Sequence, residues 1–170
     1  MQDNINIINE AYNIIGGYTP LKKNADCGKL CGKICCKGKD SGMLLFPGEE
    51  EILKDIPGFY IERIEYMDTP GINLLLCDGT CDRNLRPFAC RIFPAAPEIS
   101  LDENNNIIIS VRADIRGRHM CPLWDLNPDY INENFLDSVS KAFNILAKNK
   151  DALNLMRLIS DEIAEIKRFL

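Results

Sequence analysis

Cys27-Gly28-Lys29-Leu30-Cys31-Gly32-Lys33-Ile34-Cys35-Cys36 packs four of the chain's eight cysteines into ten residues. The unit Cys-Gly-Lys-apolar occurs twice and is closed by a double cysteine. The thiolate, not the thiol, binds metal, and nearby cations favour it. Lys22, Lys23, Lys29, Lys33, Lys37 and Lys39 surround these sulfurs, with only Asp26 and Asp40 in opposition. Buried free cysteine packs as a small hydrophobe, but interleaved lysine and glycine is not a core pattern. The stretch reads as half of a metal site. Cys27, Cys31 and Cys35 would share one broad face of a helix. Gly28 and Gly32 each weaken such a helix by about 1 kcal/mol, so short helical turns or loops wrapped on a metal are expected.

The other four cysteines lie downstream. Ile72 to Cys77 reads as a buried strand that delivers Cys77 to its end, and Cys81 follows across Asp78-Gly79-Thr80. Cys90 sits between Pro87 and Pro94, which fix the backbone on either side. Arg86 and Arg91 flank it and are expected to orient its loop by donating to thiolates or nearby carbonyls. Arg116 to Pro122 brings in Cys121 next to His119, the only histidine, which reads as a ligand, an acid/base group or a surface residue. Eight thiolates suffice for two four-coordinate zinc sites, and iron–sulfur clusters also take cysteines in fours. Adjacent Cys35 and Cys36 point in different directions, which favours two ions or one bridged cluster. Clustered thiols suit ligation better than a lone cysteine nucleophile with His119 as base.

Around these ligands the chain reads as α+β. Residues 4–15 carry Ile5, Ile8, Tyr12 and Ile15 at helical spacing and stop at Gly16-Gly17. After Pro47-Gly48, Glu49, Glu50 and Glu51 open a short helix, where acidic residues complement the helix dipole. That role is preferred to a carboxylate metal site. Residues 59–67 read as a strand, Asp68-Thr69-Pro70-Gly71 as a turn, and 98–101 with 107–112 as a hairpin turning at 102–106. Asn127-Pro128 reads as a helix start. Two apolar stripes follow, Phe135 to Leu146 and Ala152 to Leu170, and a short link predicts an antiparallel helical hairpin. The expected architecture is one domain over 1–170. Short strands and cysteine-rich loops of 27–121 surround a metal centre, and the hairpin lies in 128–170.

Composition narrows the function. The formal charge of −5, from 20 basic and 25 acidic residues, argues against general nucleic-acid binding, which needs a basic face. No run approaches the roughly eighteen apolar residues of a membrane span. Met1-Gln2-Asp3-Asn4 lacks the features of a secretory signal. A cytoplasmic location is therefore expected, where clustered cysteines bind metal rather than form disulfides.

One resemblance is specific. The cysteine cluster, the apolar run into Glu49, Glu50 and Glu51, then Cys77 and Cys81, then Arg86-Pro87-Phe88-Ala89-Cys90-Arg91-Ile92-Phe93-Pro94 is similar to the YkgJ-type cysteine-cluster family. The similarity covers about residues 27 to 121. Three residues separate the first cysteines here, where that family's CxxCxxCC signature has two. The resemblance implies zinc or iron chelated by Cys27, Cys31, Cys35, Cys36, Cys77, Cys81, Cys90 and Cys121. Some relatives in that family are flagellin lysine N-methylases with an iron–sulfur cluster, and this chain shows no cofactor fingerprint for that activity.

Overall fold

Apolar spacing at the start of the chain produces helix α1 (Gln2–Ile15), which buries Ile8, Ala11 and Ile15 along one face. It stops where Gly16 turns left-handed. The computed structural model describes residues 2–37, 42–79 and 82–170. The cysteine stretch folds as two short turns, helix α2 (Gly28–Cys31) and a 3-10 turn (Ile34–Cys36). Gly32 and Lys33, both at positive φ, break the chain between them.

Strand β1 (Gly42–Leu44) and helix α3 (Glu49–Leu53) follow. Strands β2 (Phe59–Tyr66) and β3 (Thr69–Cys77) form a hairpin, and an antiparallel sheet results with the order β1-β3-β2. The hairpin turns on Met67-Asp68, not on the expected residues 68–71. Both carry positive φ, and Tyr66 pairs with Thr69, the geometry of a two-residue hairpin loop. Pro70 fits inside β3 because β1 pairs only with Leu74 to Leu76. This end of β3 therefore has an open edge, where a missing donor costs little.

Helix α4 (Phe88–Ile92) leads to strands β4 (Ala95–Leu101) and β5 (Ile107–Ala113), which pair as a second antiparallel sheet. Its turn is held by Asp102, which accepts from the Asn104 and Asn106 amides at 2.8 Å each. Helices α5 (Glu133–Leu146) and α6 (Lys150–Arg168) complete the α+β fold. The expected helix start at Asn127-Pro128 is a turn instead. Asn132 caps α5 through the Asn134 amide. The chain before it is held extended by a bridge between Leu21 and Ile131, and the Asn132 amide donates to the Pro20 carbonyl at 2.9 Å. A bond to a segment distant in sequence outcompetes the local proline signal.

The two C-terminal helices are joined by residues 147–149, as the stripes imply, but each packs chiefly against something else. The close neighbour of α5 is α1, and that of α6 is β4. The main core lies among these elements. Phe88 is fully buried at its centre, with edge-on ring contacts to Phe46 at 5.3 Å, Tyr12 at 6.1 Å and Phe143 at 6.3 Å. A smaller core of Leu45, Leu53, Phe59 and Leu75 underlies the three-stranded sheet. No helix among the described residues is long and apolar enough to cross a membrane.

Candidate functional site

Five separate segments carry the described cysteines. Cys27 occupies the N-cap position of α2, and its carbonyl accepts from the Leu30 amide at 3.0 Å. Cys31 ends the same turn. Past the left-handed pair Gly32-Lys33, the 3-10 turn sets Cys35 and Cys36 with their sulfurs 3.9 Å apart. Cys77 closes β3 opposite Phe59 of β2 and packs on the smaller core. Cys90 lies at the middle of α4. The Cys121 amide donates to the Gly117 carbonyl at 2.8 Å, closing the turn that follows β5. None of these seven cysteines is in a disulfide. Cys81 lies outside the described residues.

Two adjoining cavities collect the seven. One, of about 70 Å3, is lined by Cys35, Cys36, Cys77, Cys90 and Arg86, with Met43, Phe59 and Leu75 as apolar wall. The other, of about 30 Å3, is lined by Cys27, Cys31, Cys35, Cys36, Cys90, Cys121 and Arg86. Cys35, Cys36, Cys90 and Arg86 belong to both. Gly79 allows the loop after β3 to lie on the cysteine turn. It takes a positive φ, and a Cβ there would collide with the Cys36 carbonyl oxygen. Among the described residues, no three His, Cys, Asp or Glu side chains are grouped so as to hold one ion. The sulfurs share cavities without being drawn to ligand distance.

The electrostatics of the group are those of crowded thiols. Cys36 is pushed down to about 6, first by its hydrogen bond with Cys35 and then by Arg86 and Lys33, against the effect of burial. Cys35 is pushed up by the same hydrogen bond, by burial and by the charges of Cys36, Cys31 and Cys27. Cys121 is raised by burial and by the charges of Cys27 and Cys31, with the Leu123 amide acting in the opposite direction.

Arg91 acts on carbonyls. Its Nε donates to the Arg86 carbonyl at 2.8 Å and a terminal nitrogen to the Asn84 carbonyl at 2.5 Å. Its guanidinium carbon lies 4.1 Å over the Tyr12 ring. His119 is exposed and lines neither cavity. Lys22, Lys23, Lys29, Lys33 and Lys37 are exposed, and Lys39 lies outside the described residues.

The three glutamates of α3 part company. Glu50 accepts from the Gly48 amide at 2.9 Å, and Glu51 pairs with Lys54 at 2.6 Å, both ordinary first-turn roles. Glu49 is fully buried. Its Oε1 accepts from the Phe88 amide at 2.6 Å and from the Tyr12 hydroxyl, and its Oε2 from the Phe46 amide at 2.7 Å. Burial pushes its carboxyl up to about 7, against the opposing effect of these three donors and of Arg91. Tyr12 is pushed up by burial and by Glu49. The reading of all three as first-turn acids complementing the helix dipole missed this burial. The available signal was spacing, since Glu49 stands four residues before buried Leu53 and shares its helix face.

No family model, no curated protein and no solved structure matches the chain.

Proposed function

We propose that this is a metal-binding cysteine-cluster protein. Its ligands are Cys27, Cys31, Cys35, Cys36, Cys77, Cys81, Cys90 and Cys121, and its metal is zinc in a structural or metal-handling role. The observation that carries this reading is the convergence of seven cysteines from five segments on two adjoining cavities. Size supports it. Cavities of about 70 and 30 Å3 fall far below the roughly 300–1,000 Å3 of sites for organic ligands and suit objects the size of water or an ion. Charge supports it too. The charges of neighbouring cysteines push Cys35 and Cys121 up, and a bound dication would relieve that repulsion.

The lining divides the ligands. Cys27, Cys31 and Cys121 belong to the smaller cavity alone, Cys77 to the larger alone, and Cys35, Cys36 and Cys90 to both. This favours two ions sharing a wall of thiolates. Binding would draw the sulfurs inward to about 2.3 Å from the ion, so metal uptake and ordering of these turns are one event. The metal centre is then the organising feature of 27–121, backed by the helices of 128–170 through the Phe88–Phe143 contact. A reducing, cytoplasmic setting, where clustered thiols bind metal, fits this reading. The likeness to the YkgJ-type family agrees with this proposal.

The shared wall also favours a second reading, one bridged iron–sulfur cluster in a redox or lysine N-methylase-like enzyme. Element analysis of anaerobically purified protein separates the two. Zinc predicts a colourless protein with about two zinc ions per chain and eight thiols shielded from alkylation until a chelator is added. Stoichiometric iron with acid-labile sulfide selects the cluster. Metal-free protein whose thiols alkylate as fast as in the denatured chain refutes both.

A further inference from the structure

Cys90 faces both cavities, so the aim of α4 matters to the whole group. That helix is five residues long, too short to hold its own direction. Its N-cap is Pro87, which makes no side-chain capping bond. The first amides of a helix have no partner inside it, and the Phe88 amide is one of these. It is met from another element, by Glu49 of α3. The same carboxyl takes the Phe46 amide from the β1–α3 connection and the Tyr12 hydroxyl from α1. Three parts of the chain thus converge on one buried side chain. On the far side of Cys90, Arg91 spans from the Tyr12 ring to the Asn84 and Arg86 carbonyls. Cys90 is held between these two fixed points.

We propose that Glu49 is a positioning residue for the cysteine centre, capping α4 from outside the helix and thereby aiming Cys90 at both cavities. Its consequence for metal binding rests on the function proposed above, while its effect on Cys90 does not. The competing role is that Glu49 merely fills space. Replacing a buried charged group by an apolar residue of similar volume is often neutral or stabilising when no partner is stranded. Here an apolar residue would strand the Phe46 and Phe88 amides and the Tyr12 hydroxyl, and each unsatisfied group carries its full desolvation penalty. The two roles predict opposite orders for glutamine and leucine.

The test measures iodoacetamide alkylation of the reduced, metal-free full chain, resolved by residue, as the rate of Cys90 relative to Cys121. Glu49→Gln keeps one carbonyl oxygen and should raise the ratio a few-fold. Glu49→Leu should raise it about tenfold or more. Tyr12→Phe leaves both amides capped and should stay near wild type. A Glu49→Leu protein that folds with the wild-type ratio, or with a smaller change than Glu49→Gln, overturns the proposal. If Glu49→Leu does not fold, the Glu49→Gln ratio decides alone, and an unchanged value overturns it. Zinc affinity, read by competition with a chromophoric chelator, should fall about 10- to 100-fold in Glu49→Gln. An altered ratio with no zinc binding in the wild type keeps the positioning role and removes the metal reading.

Discussion

Raising the pH through neutrality should destabilise the metal-free protein through Glu49. The carboxyl has its ordinary value of 4.5 when the chain is unfolded and about 7 in the fold. Its folded value is raised, so the stabilising form is the protonated one. Below about 4.5 the contribution is fully present. Between 4.5 and 7 the unfolded chain has released its proton and the folded one has not, so stability falls with pH. Above 7 the loss is complete. At about 1.4 kcal/mol per unit the shift amounts to about 3 kcal/mol, a large part of the roughly 5–15 kcal/mol that holds a domain folded. The groups facing the carboxyl are Tyr12 from α1, Arg91 and the Phe88 amide from α4, and the Phe46 amide. Burial outweighs their combined opposition. Urea denaturation of reduced, metal-free wild type and Glu49→Gln, from pH 4.5 to 8, isolates this side chain because every other titrating group is common to both. The wild-type advantage over Glu49→Gln should shrink by about 3 kcal/mol across this range and then level off. A difference that stays flat, or grows with pH, would show that the three donors and Arg91 hold the carboxylate ionised, and the linkage would be wrong.

Arg91→Ala removes the bonds to the Asn84 and Arg86 carbonyls and the contact with Tyr12. It should weaken zinc binding about 10- to 100-fold in a chelator competition, and unchanged affinity would make Arg91 a bystander. Asn149 caps α6 through the Asp151 and Ala152 amides, so Asn149→Ala should lose about 1–2 kcal/mol in urea denaturation while Asn149→Gly loses only a few tenths; equal losses would assign the effect to something other than the cap.

The elements legible in the sequence were those whose signal is local. The spacing of Ile8 and Ile15 marked α1, and the polar run 102–106 marked the β4–β5 turn. The β2–β3 turn was misplaced because Met67 and Asp68 take left-handed conformations with no glycine to announce them, while Pro70-Gly71 looked like the better turn. The apolar stripes of α5 and α6 showed which faces are buried but not against what. Ile8, Ala11 and Ile15 offered α5 an equally good partner, and α1 took it. The clustering of Cys27 to Cys36 was visible from spacing alone. Its meeting with Cys77, Cys90 and Cys121 was expected from the ligand count and the resemblance, but no local pattern showed how it is achieved, because that depends on β3 register, the close approach at Gly79 and the capping of α4. Glu49 was hidden by its neighbours, because a run of three acids looks like a first turn that complements the helix dipole.

The tie between residues 19–24 and 130–132 bears on how the protein is made. Residues 19–24 are fastened to 130–132 by the Leu21–Ile131 bridge, the Lys22 and Asn132 amides and the Asn132 side chain, and α1 packs on α5. The cysteine stretch therefore leaves the ribosome well before the segment that anchors it. At about 5–20 residues per second, roughly 5 to 20 s separate the synthesis of Cys36 from that of Leu146. During that interval four closely spaced thiols are open to whichever ion or oxidant reaches them first.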